Sequence, residues 1–590
     1  MTYQAPLADI LFNIEHLSSW EQVTSREQYI GIDQSDVRAV LEEFGRFCSE
    51  TVAPLSRTGD ELGAHIVGGT VRMPDGFDKA HAQFVKMGWH SLQHPPEYGG
   101  MGLPRVVGAA ATEILNGSDM SFGLCPLLTD GAIDALLISG SEDQRARYLE
   151  PLIVGRWSGT MNLTEPQAGS DLGRVLTKAE PNDDGSYSVS GTKIFITYGE
   201  HELSENIVHL VLARTPGAPD GSKGLSLFLV PKFMVEADGS LAERNRVECV
   251  SIEHKLGVRA SPTAILQYTK ATGFLIGEEN RGLEYMFVMT NAARFAVGVQ
   301  GIGVSERALQ QALTFAQERV QSRPVDGLSK TATAIIEHPD VRRMLMRMRA
   351  LTEGGRALAV ATAGWLDLAH DSESADQGAA GLMAEFLVPQ VKAFCSERSL
   401  EVTSLGVQVH GGMGYVEETG AAQLCRDARI LPIYEGTTAI QANDLLGRKV
   451  MRDAGNTAQR FLSMVRETSA ELREGGTEFA DIATGLATAA DAFEASLVWL
   501  LETVRENPNA AYAGSVPFLM LAGNLAAGWQ LGRAALAAQA KLQEGDTSPF
   551  LKQKMATARF YANHILIECE TERLRITSGA MSILDPDLPI

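Results

Sequence analysis

The chain has 590 residues, too many for one hydrophobic core of ordinary size, so three to five structural units are expected. Hydrophobic residues make up 45% of it and the charges are scattered, which excludes a disordered or fibrous chain. Fifty-one basic against 73 acidic residues leave a formal charge of −22. That excludes nucleic-acid or anionic-membrane binding through the overall field, although a local basic pocket could hold a phosphate.

Residues Met1 to Ile14 lack a basic n-region, and Asp9 and Asn13 interrupt their apolar residues, so no signal peptide is expected. Residues 1–37 read as an extension packed on the main body. Over 38–160 the apolar spacing is helical. The run from Val37 to Phe47 repeats apolar positions at three and four, with Asp36 placed to cap its start. Pro95, Pro96, Gly99, Gly100 and Gly102 make a turn-rich break. Over 161–280 the runs Tyr187 to Thr197, Ile207 to Ala213 and Leu225 to Pro231 are β-branched or aromatic-rich and bounded by Gly, Pro, Asp and Ser. No helix-length crossovers separate them, so an antiparallel barrel or sandwich is expected. Helical periodicity returns over 281–453 and, after the polar break Asp453-Ala-Gly-Asn, fills an extra block over 454–590.

The charge-free stretch from Asn507 to Gly532 contains Pro508, Asn509, Asn524 and Gln530, and reads as a buried bundle helix with no stable membrane insertion. Cys48, Cys125, Cys249, Cys395, Cys425 and Cys569 are far apart without metal-ligand spacing. They read as reduced thiols of a cytoplasmic protein, and no metal is expected.

Three segments could carry chemistry. In Met161-Asn-Leu-Thr-Glu-Pro-Gln-Ala-Gly-Ser-Asp-Leu-Gly, Thr164 and Ser170 offer hydroxyls and Gly169 admits a close ligand, although a hydrogen-bonded turn explains the segment equally well. In Gly191-Thr-Lys-Ile-Phe-Ile-Thr-Tyr-Gly, strand alternation puts Phe195 and Thr197 on one face, where they could wall a flat ring or simply pack and cap. In Leu405-Gly-Val-Gln-Val-His-Gly-Gly-Met-Gly-Tyr, Gly411, Gly412 and Gly414 permit close approach to a phosphate- or sugar-sized group. Glu435-Gly-Thr-Thr reads as a loop leading into a helix, and alone Glu435 reads as a first-turn carboxylate favoured by the helix dipole. Gly298-Val-Gln-Gly-Ile-Gly lacks a preceding strand, so close helix packing explains it better than dinucleotide binding.

Together, in this order, the segments resemble the acyl-CoA dehydrogenase family over roughly residues 38–450. The resemblance rests on Leu163-Thr-Glu-Pro-Gln-Ala-Gly-Ser-Asp, Gln408-Val-His-Gly-Gly-Met-Gly-Tyr with Arg426-Asp-Ala, and Ile433-Tyr-Glu-Gly-Thr. Lys255-Leu-Gly-Val-Arg-Ala-Ser, Asn280-Arg-Gly-Leu and Glu318-Arg-Val-Gln-Ser lie between them in the family's order. Asn162, Phe195, Gln423 and Ala439 depart from the usual residues.

The resemblance implies an α+β multidomain fold: an N-terminal helical domain, a central antiparallel β domain and a four-helix bundle, plus the extra helical block. It implies FAD as cofactor and Glu435 as the base that removes the α-proton of an acyl-CoA while the flavin N5 takes a β-hydride. Leu163, Thr164, Gly169, Ser170, Phe195, Thr197 and Thr437 would contact the flavin. Arg319, Gln321, Gln408, Gly411 and Gly412 would reach the ADP half of a neighbouring subunit's FAD, which implies a homo-oligomer. Ser170, Asn291, Arg294, Tyr434 and Gly436 would meet the substrate. The backbone N–H of Glu435 and a flavin ribityl hydroxyl would hold the thioester carbonyl, two donors contributing roughly 3–4 kcal/mol each when well placed. Burial is expected to raise the pKa of Glu435. An electron-transferring flavoprotein is the expected acceptor, with an acyl-CoA oxidase or an inactive flavin-binding stress protein as alternatives. The resemblance ranks 3-methylmercaptopropionyl-CoA first as substrate, before other short or medium acyl-CoAs. The C-terminal block is expected to cover a dimer–dimer surface, leaving a homodimer.

Overall fold

The computed structural model describes residues 3–68, 70–369 and 375–587. Its first residues fold against the body as α1 (Leu7–Leu17) and α2 (Trp20–Thr24), with Tyr3, Ile10, Ile14 and Trp20 buried. Next comes α3 (Gln34–Phe47). Its cap is Asp33, which accepts from the backbone N–H of Ser35 and Asp36. The expected cap, Asp36, is instead the third helical residue and returns its carboxylate to the Asp33 amide, because a capping box needs acceptors at both positions.

The N-terminal helical layer continues with α4 (Leu55–Leu62), a small hairpin of β1 (His65–Val67) and β2 (Thr70–Arg72), then α5 (Phe77–Lys86), α6 (Arg105–Ser118), α7 (Met120–Ser139) and α8 (Glu142–Ile153). Among the described residues, α7 is the helix long and apolar enough to cross a membrane, yet most of it is buried against α6, the bundle and the sheet.

The central sheet comprises β3 (Trp157–Asn162), β4 (Lys178–Pro181), β5 (Tyr187–Thr197), β6 (Asn206–Ala213) and β7 (Ser226–Pro231). After β8 (Phe233–Val235) and β9 (Leu241–Arg244), a separate hairpin, come β10 (Val247–Ile252) and β11 (Thr263–Ile276). The strand order is β3-β6-β7-β11-β5-β4, with β10 on β11. Pairing is antiparallel except between β3 and β6, which run parallel. The long excursion through β4 and β5 lets the chain return in the same direction, which short hairpins cannot do.

The helical bundle is α9 (Gly282–Glu318), α10 (Pro339–Ala369) and α11 (Ala375–His410), completed by α12 (Ala421–Ala428) and α13 (Thr438–Asp444). A Cβ at Gly298 or Gly301 would meet the backbone of α11, and one at Gly303 the backbone of α6, so this glycine run serves helix packing. The chain turns at Ala454 and Gly455, both left-handed, into α14 (Asn456–Glu474), α15 (Ala480–Glu506), α16 (Pro508–Ala513), α17 (Ser515–Gln543), α18 (Pro549–Tyr561) and α19 (Glu568–Ile583). The charge-free stretch is largely α17, whose residues from Leu521 to Gly532 are all buried. Phe461 packs on Phe386 of α11 at 5.4 Å between ring centres, and one hydrophobic core runs without a gap from α1 through the bundle to α19. All six cysteines are free thiols.

Candidate active site

Between α12 and α13 the chain makes a turn. Glu435 sits there with φ +54° and Gly436 with φ +91°. A left-handed glutamate costs roughly 1–2 kcal/mol, so the turn needs tethers. They are present on every side. Gln441 Nε2 donates to the Glu435 carbonyl at 3.3 Å, and the Thr438 amide donates to the Pro432 carbonyl at 3.1 Å. The Tyr434 hydroxyl donates to Gln300 of α9, which donates onward to Asn116 of α6 at 2.8 Å. Thr438 Oγ1 donates to Glu397 of α11 at 2.5 Å. Buried Lys392 of α11 donates to the carbonyls of Leu431 at 2.9 Å and Gly436 at 2.6 Å.

Thr437 is the N-cap of α13, accepting from the Ile440 amide at 3.3 Å. Glu435 therefore stands before the cap and not in the first helical turn, which corrects its reading as a helix-start carboxylate. It remains near the positive end of α13.

Glu435 is half-buried, and removal of water from its carboxyl raises its pKa to about 7, against the pull of Lys392 and Arg294. Burial likewise lowers Lys392 to about 8, opposed by Glu435. Arg294 donates to Asn291 Oδ1 at 3.2 Å and pairs with Asp444 at 3.5 Å, while its buried Nε has no partner. An unpaired buried donor of this kind is a place for a ligand acceptor. Arg294 also lines a cavity of about 410 Å³ between α6, α7, α9 and α11. Its walls are apolar at Leu127, Phe295 and Val299. A polar corner is formed by His90, Gln93 and Asp130, and the Asp130 carboxylate is held from outside the cavity lining by His94 Nε2 at 2.8 Å.

The β domain delivers a second wall. Met161 of β3 packs with Leu127, Leu128 and Ala293, next to Arg294. Beyond it, the Leu163 carbonyl accepts from Lys193 Nζ at 2.9 Å and the Thr164 carbonyl from the Ile194 amide at 2.9 Å. Glu165 is the buried anchor of this segment. It accepts from the amides of Leu176 at 2.8 Å and Thr177 at 3.1 Å and pairs with Lys193 at 2.9 Å. Burial works to raise its pKa, but Lys193 and these donors outweigh it and leave the carboxyl below its ordinary value. Burial lowers Lys193 to about 8.

On β5, Ile194 and Phe195 together oppose the single residue Ile265 of β11, a bulge that turns Phe195 outward with φ +60°. Its ring is 59% exposed, beside buried Ile196 and half-buried Thr197, so both side chains are presented away from the core. Ser170 is exposed, and a Cβ at Gly169 would meet nothing within 4 Å. An exposed aromatic ring beside open backbone and free hydroxyls fits a flat, phosphate-bearing cofactor such as FAD. Asn162, unusual at its position, is absorbed by the sheet: it donates to Thr160 at 2.8 Å and accepts from Tyr268 at 2.9 Å.

The remaining cofactor candidates lie at another end of the molecule. Phe315 of α9 stacks on His410 of α11 at 4.5 Å, which gathers Arg319 and Gln321 with Gln408, Gly411 and Gly412. All five are exposed, and a Cβ at either glycine would meet nothing within 4 Å. No hydrogen bond joins this group to the Leu163–Thr197 group among the described residues. Of the expected substrate contacts, Asn291 and Arg294 line the cavity, Gly436 lies in the Glu435 turn, and the Tyr434 hydroxyl is committed to Gln300. Sequence reasoning missed Lys193, Gln300, Lys392 and Asp444. The signal for Lys392 was a lone cation inside the apolar run from Phe386 to Cys395.

The middle-domain model of the acyl-CoA dehydrogenases matches residues 160–271, their N-terminal domain 34–156 and their C-terminal domain 280–450. A fourth, described as acetyl-CoA dehydrogenase C-terminal like, matches 461–587. The chain is 64% identical over 588 residues to 3-methylmercaptopropionyl-CoA dehydrogenase of Ruegeria pomeroyi, covering 100% of both. Its fold is like that of Caenorhabditis elegans ACDH-11 in complex with C11-CoA, with TM-score 0.80 and 21% identity over 100% of this chain and 96% of that one. An acyl-CoA dehydrogenase of Bacillus anthracis complexed with FAD gives 0.73 and 21%, over 95% and 93%. On the strength of the full-length identity and the matched domains, the chain belongs to the acyl-CoA dehydrogenase family of FAD-dependent oxidoreductases.

Proposed function

We propose that the protein dehydrogenates 3-methylmercaptopropionyl-CoA to the α,β-unsaturated thioester, with Glu435 as base. The observation that carries the chemistry is the Glu435 carboxyl, its pKa raised to about 7, next to the cavity-lining Arg294. The full-length relative carries the substrate. A base with a pKa near neutrality is deprotonated often enough to act and basic enough to pull a weakly acidic α-proton. The Glu435 amide, turned outward by the left-handed backbone, would donate to the thioester oxygen as charge builds there. Asn291 and Arg294 would position the substrate, and Tyr434 and Gly436 would shape the turn around it. Bound FAD supplies the hydride acceptor. Leu163, Thr164, Gly169, Ser170, Phe195, Thr197 and Thr437 would hold it, and Arg319, Gln321, Gln408, Gly411 and Gly412 would reach the FAD of a second subunit.

That shared cofactor makes a homodimer part of the proposal. An electron-transferring flavoprotein would reoxidise the enzyme, and the absence of disulfides fits the cytoplasm. The functional division is 1–37, 38–160, 161–280, 281–453 and 454–590. The test is anaerobic mixing of the yellow protein with a panel of acyl-CoAs. Bleaching fastest with 3-methylmercaptopropionyl-CoA supports the proposal, and faster bleaching by unsubstituted chains overturns the substrate.

A further inference from the structure

The Glu435 turn carries an unfavourable backbone, yet its geometry decides where both the carboxylate and the amide point. Most of its tethers hold one point each. Lys392 differs: its single ammonium bridges two carbonyls, Leu431 four residues before Glu435 and Gly436 one residue after it. Those bonds span the left-handed residues and close the turn across its base. Lys392 is wholly buried and comes from the middle of α11, a rigid helix packed along α9 and α10. Burying an ammonium is expensive unless its donors are used, and two of its three are spent on this turn. A hydrophobic residue would fill the same space without that cost, so packing alone does not account for a lysine here.

We propose that Lys392 is the positioning residue for Glu435: it fixes the turn that aims the base and its amide. Its charge also opposes the burial that favours the protonated carboxyl. The proposal rests on the assignment of Glu435 as base. The charged and titratable groups around Glu435 are Lys392 and Glu397 on α11, Arg294 on α9, Asp444 on α13 with its partner Arg448, and Tyr434 in the turn itself. Of the two cations acting on Glu435, Arg294 already answers to Asp444, whereas among the described residues Lys392 hydrogen-bonds only to neutral carbonyls. Its charge is therefore compensated by Glu435 and, less strongly, by Glu397.

The test uses the FAD-loaded protein and its Lys392→Met, Lys392→Gln and Lys392→Arg variants, with Glu435→Gln as control. Flavin bleaching by 3-methylmercaptopropionyl-CoA is followed anaerobically across pH 5.5–9. With FAD content matched, Lys392→Met should slow the limiting bleaching rate at least 100-fold and change the apparent Kd for substrate less than threefold. The rising limb of its pH profile should move to higher pH, a shift that loosened packing would not produce. Lys392→Arg should recover at least a tenth of the wild-type rate. Should the methionine variant lose FAD or fail to fold, Lys392→Gln carries the same expectations with a smaller rate loss.

A Lys392→Met or Lys392→Gln enzyme that bleaches within threefold of wild type with an unmoved pH profile would overturn the proposal. So would a rate loss accounted for wholly by missing FAD. If Glu435→Gln also bleaches at the wild-type rate, the base assignment has failed instead, and the two outcomes are thereby distinguished.

Discussion

Glu435 is a half-buried carboxyl group held in a strained turn and flanked by two cations. Burial is the larger influence, so the folded protein holds its proton more tightly than the unfolded chain does. Its contribution to stability is therefore full below the ordinary carboxylate pKa near 4.5 and is lost as pH rises through about 7. Two outcomes follow. The bleaching rate divided by the apparent Kd, which reports ionisation of the free enzyme, should rise with pH through about 7 and then level. Glu435→Gln should match the wild-type melting temperature at pH 4 and exceed it at pH 8, as differential scanning fluorimetry would show. A melting difference independent of pH would contradict the buried-carboxyl account. The identity of Glu435 was legible because the Tyr434-Glu435-Gly436-Thr437 frame is specific. Its left-handed conformation was not, since a glutamate before a helix is ordinarily an N-terminal carboxylate. Lys392 stood out as a lone cation in an apolar run, but its role was not legible: its partners are backbone carbonyls about 40 residues away, and carbonyls leave no mark on the sequence.

The segment from Leu163 to Ser170 is the proposed flavin-facing wall. Its turn is closed by mutual hydrogen bonds between Glu165 and Ala168, and the Glu165 carboxylate is fixed by Lys193 of β5. Breaking one side of a wholly buried pair leaves an uncompensated charge and costs about 3–5 kcal/mol. Lys193→Met should therefore lower the urea midpoint and weaken FAD retention together, while Lys193→Met with Glu165→Met should recover part of the stability. An undiminished FAD affinity in the single variant would show that this pair does not set the flavin-facing wall. Alternation along β5 put Phe195 and Thr197 on one face, and in the structure Phe195 is exposed and Thr197 half-buried. The bulge that turns Phe195 outward was not legible, because it depends on which residue of β11 stands opposite. The parallel pairing of β3 was missed for the same reason: partner choice is a property of the sheet and not of the strand.

Across the whole molecule, the extra helical block is bonded into the body by buried charge. Arg356 of α10 pairs with Asp9 of α1 at 2.6 Å, Glu113 of α6 at 2.5 Å and Glu306 of α9 at 2.6 Å. Lys554 of α18 pairs with the same Asp9 at 2.5 Å and with Glu353 of α10 at 3.0 Å. The N-terminal extension thus links the bundle to the C-terminal block, and the continuous apolar core seals the join. Helical content and the buried character of α17 were legible from periodicity and composition. This linkage was not, because residues 9, 356 and 554 have no local relation. Arg356→Met should cost about 3–5 kcal/mol by leaving Glu113 and Glu306 without their cation, while Asp9 keeps Lys554. Truncation after Asp453 should yield insoluble protein, since it uncovers Phe386 and strips Asp9 of one partner. A soluble, FAD-binding truncation would contradict the single-core description. Light scattering of the full chain should give the mass of a dimer.

The central claim is that Glu435 removes the α-proton while bound FAD is reduced. The most direct measurement is stopped-flow bleaching of the FAD-loaded protein by 3-methylmercaptopropionyl-CoA without oxygen, comparing wild type with Glu435→Gln. The account predicts rapid bleaching by the wild type and a rate about 100- to 10,000-fold lower in the variant, with substrate still bound. A colourless wild-type protein, or a variant that bleaches as fast as the wild type, would contradict it.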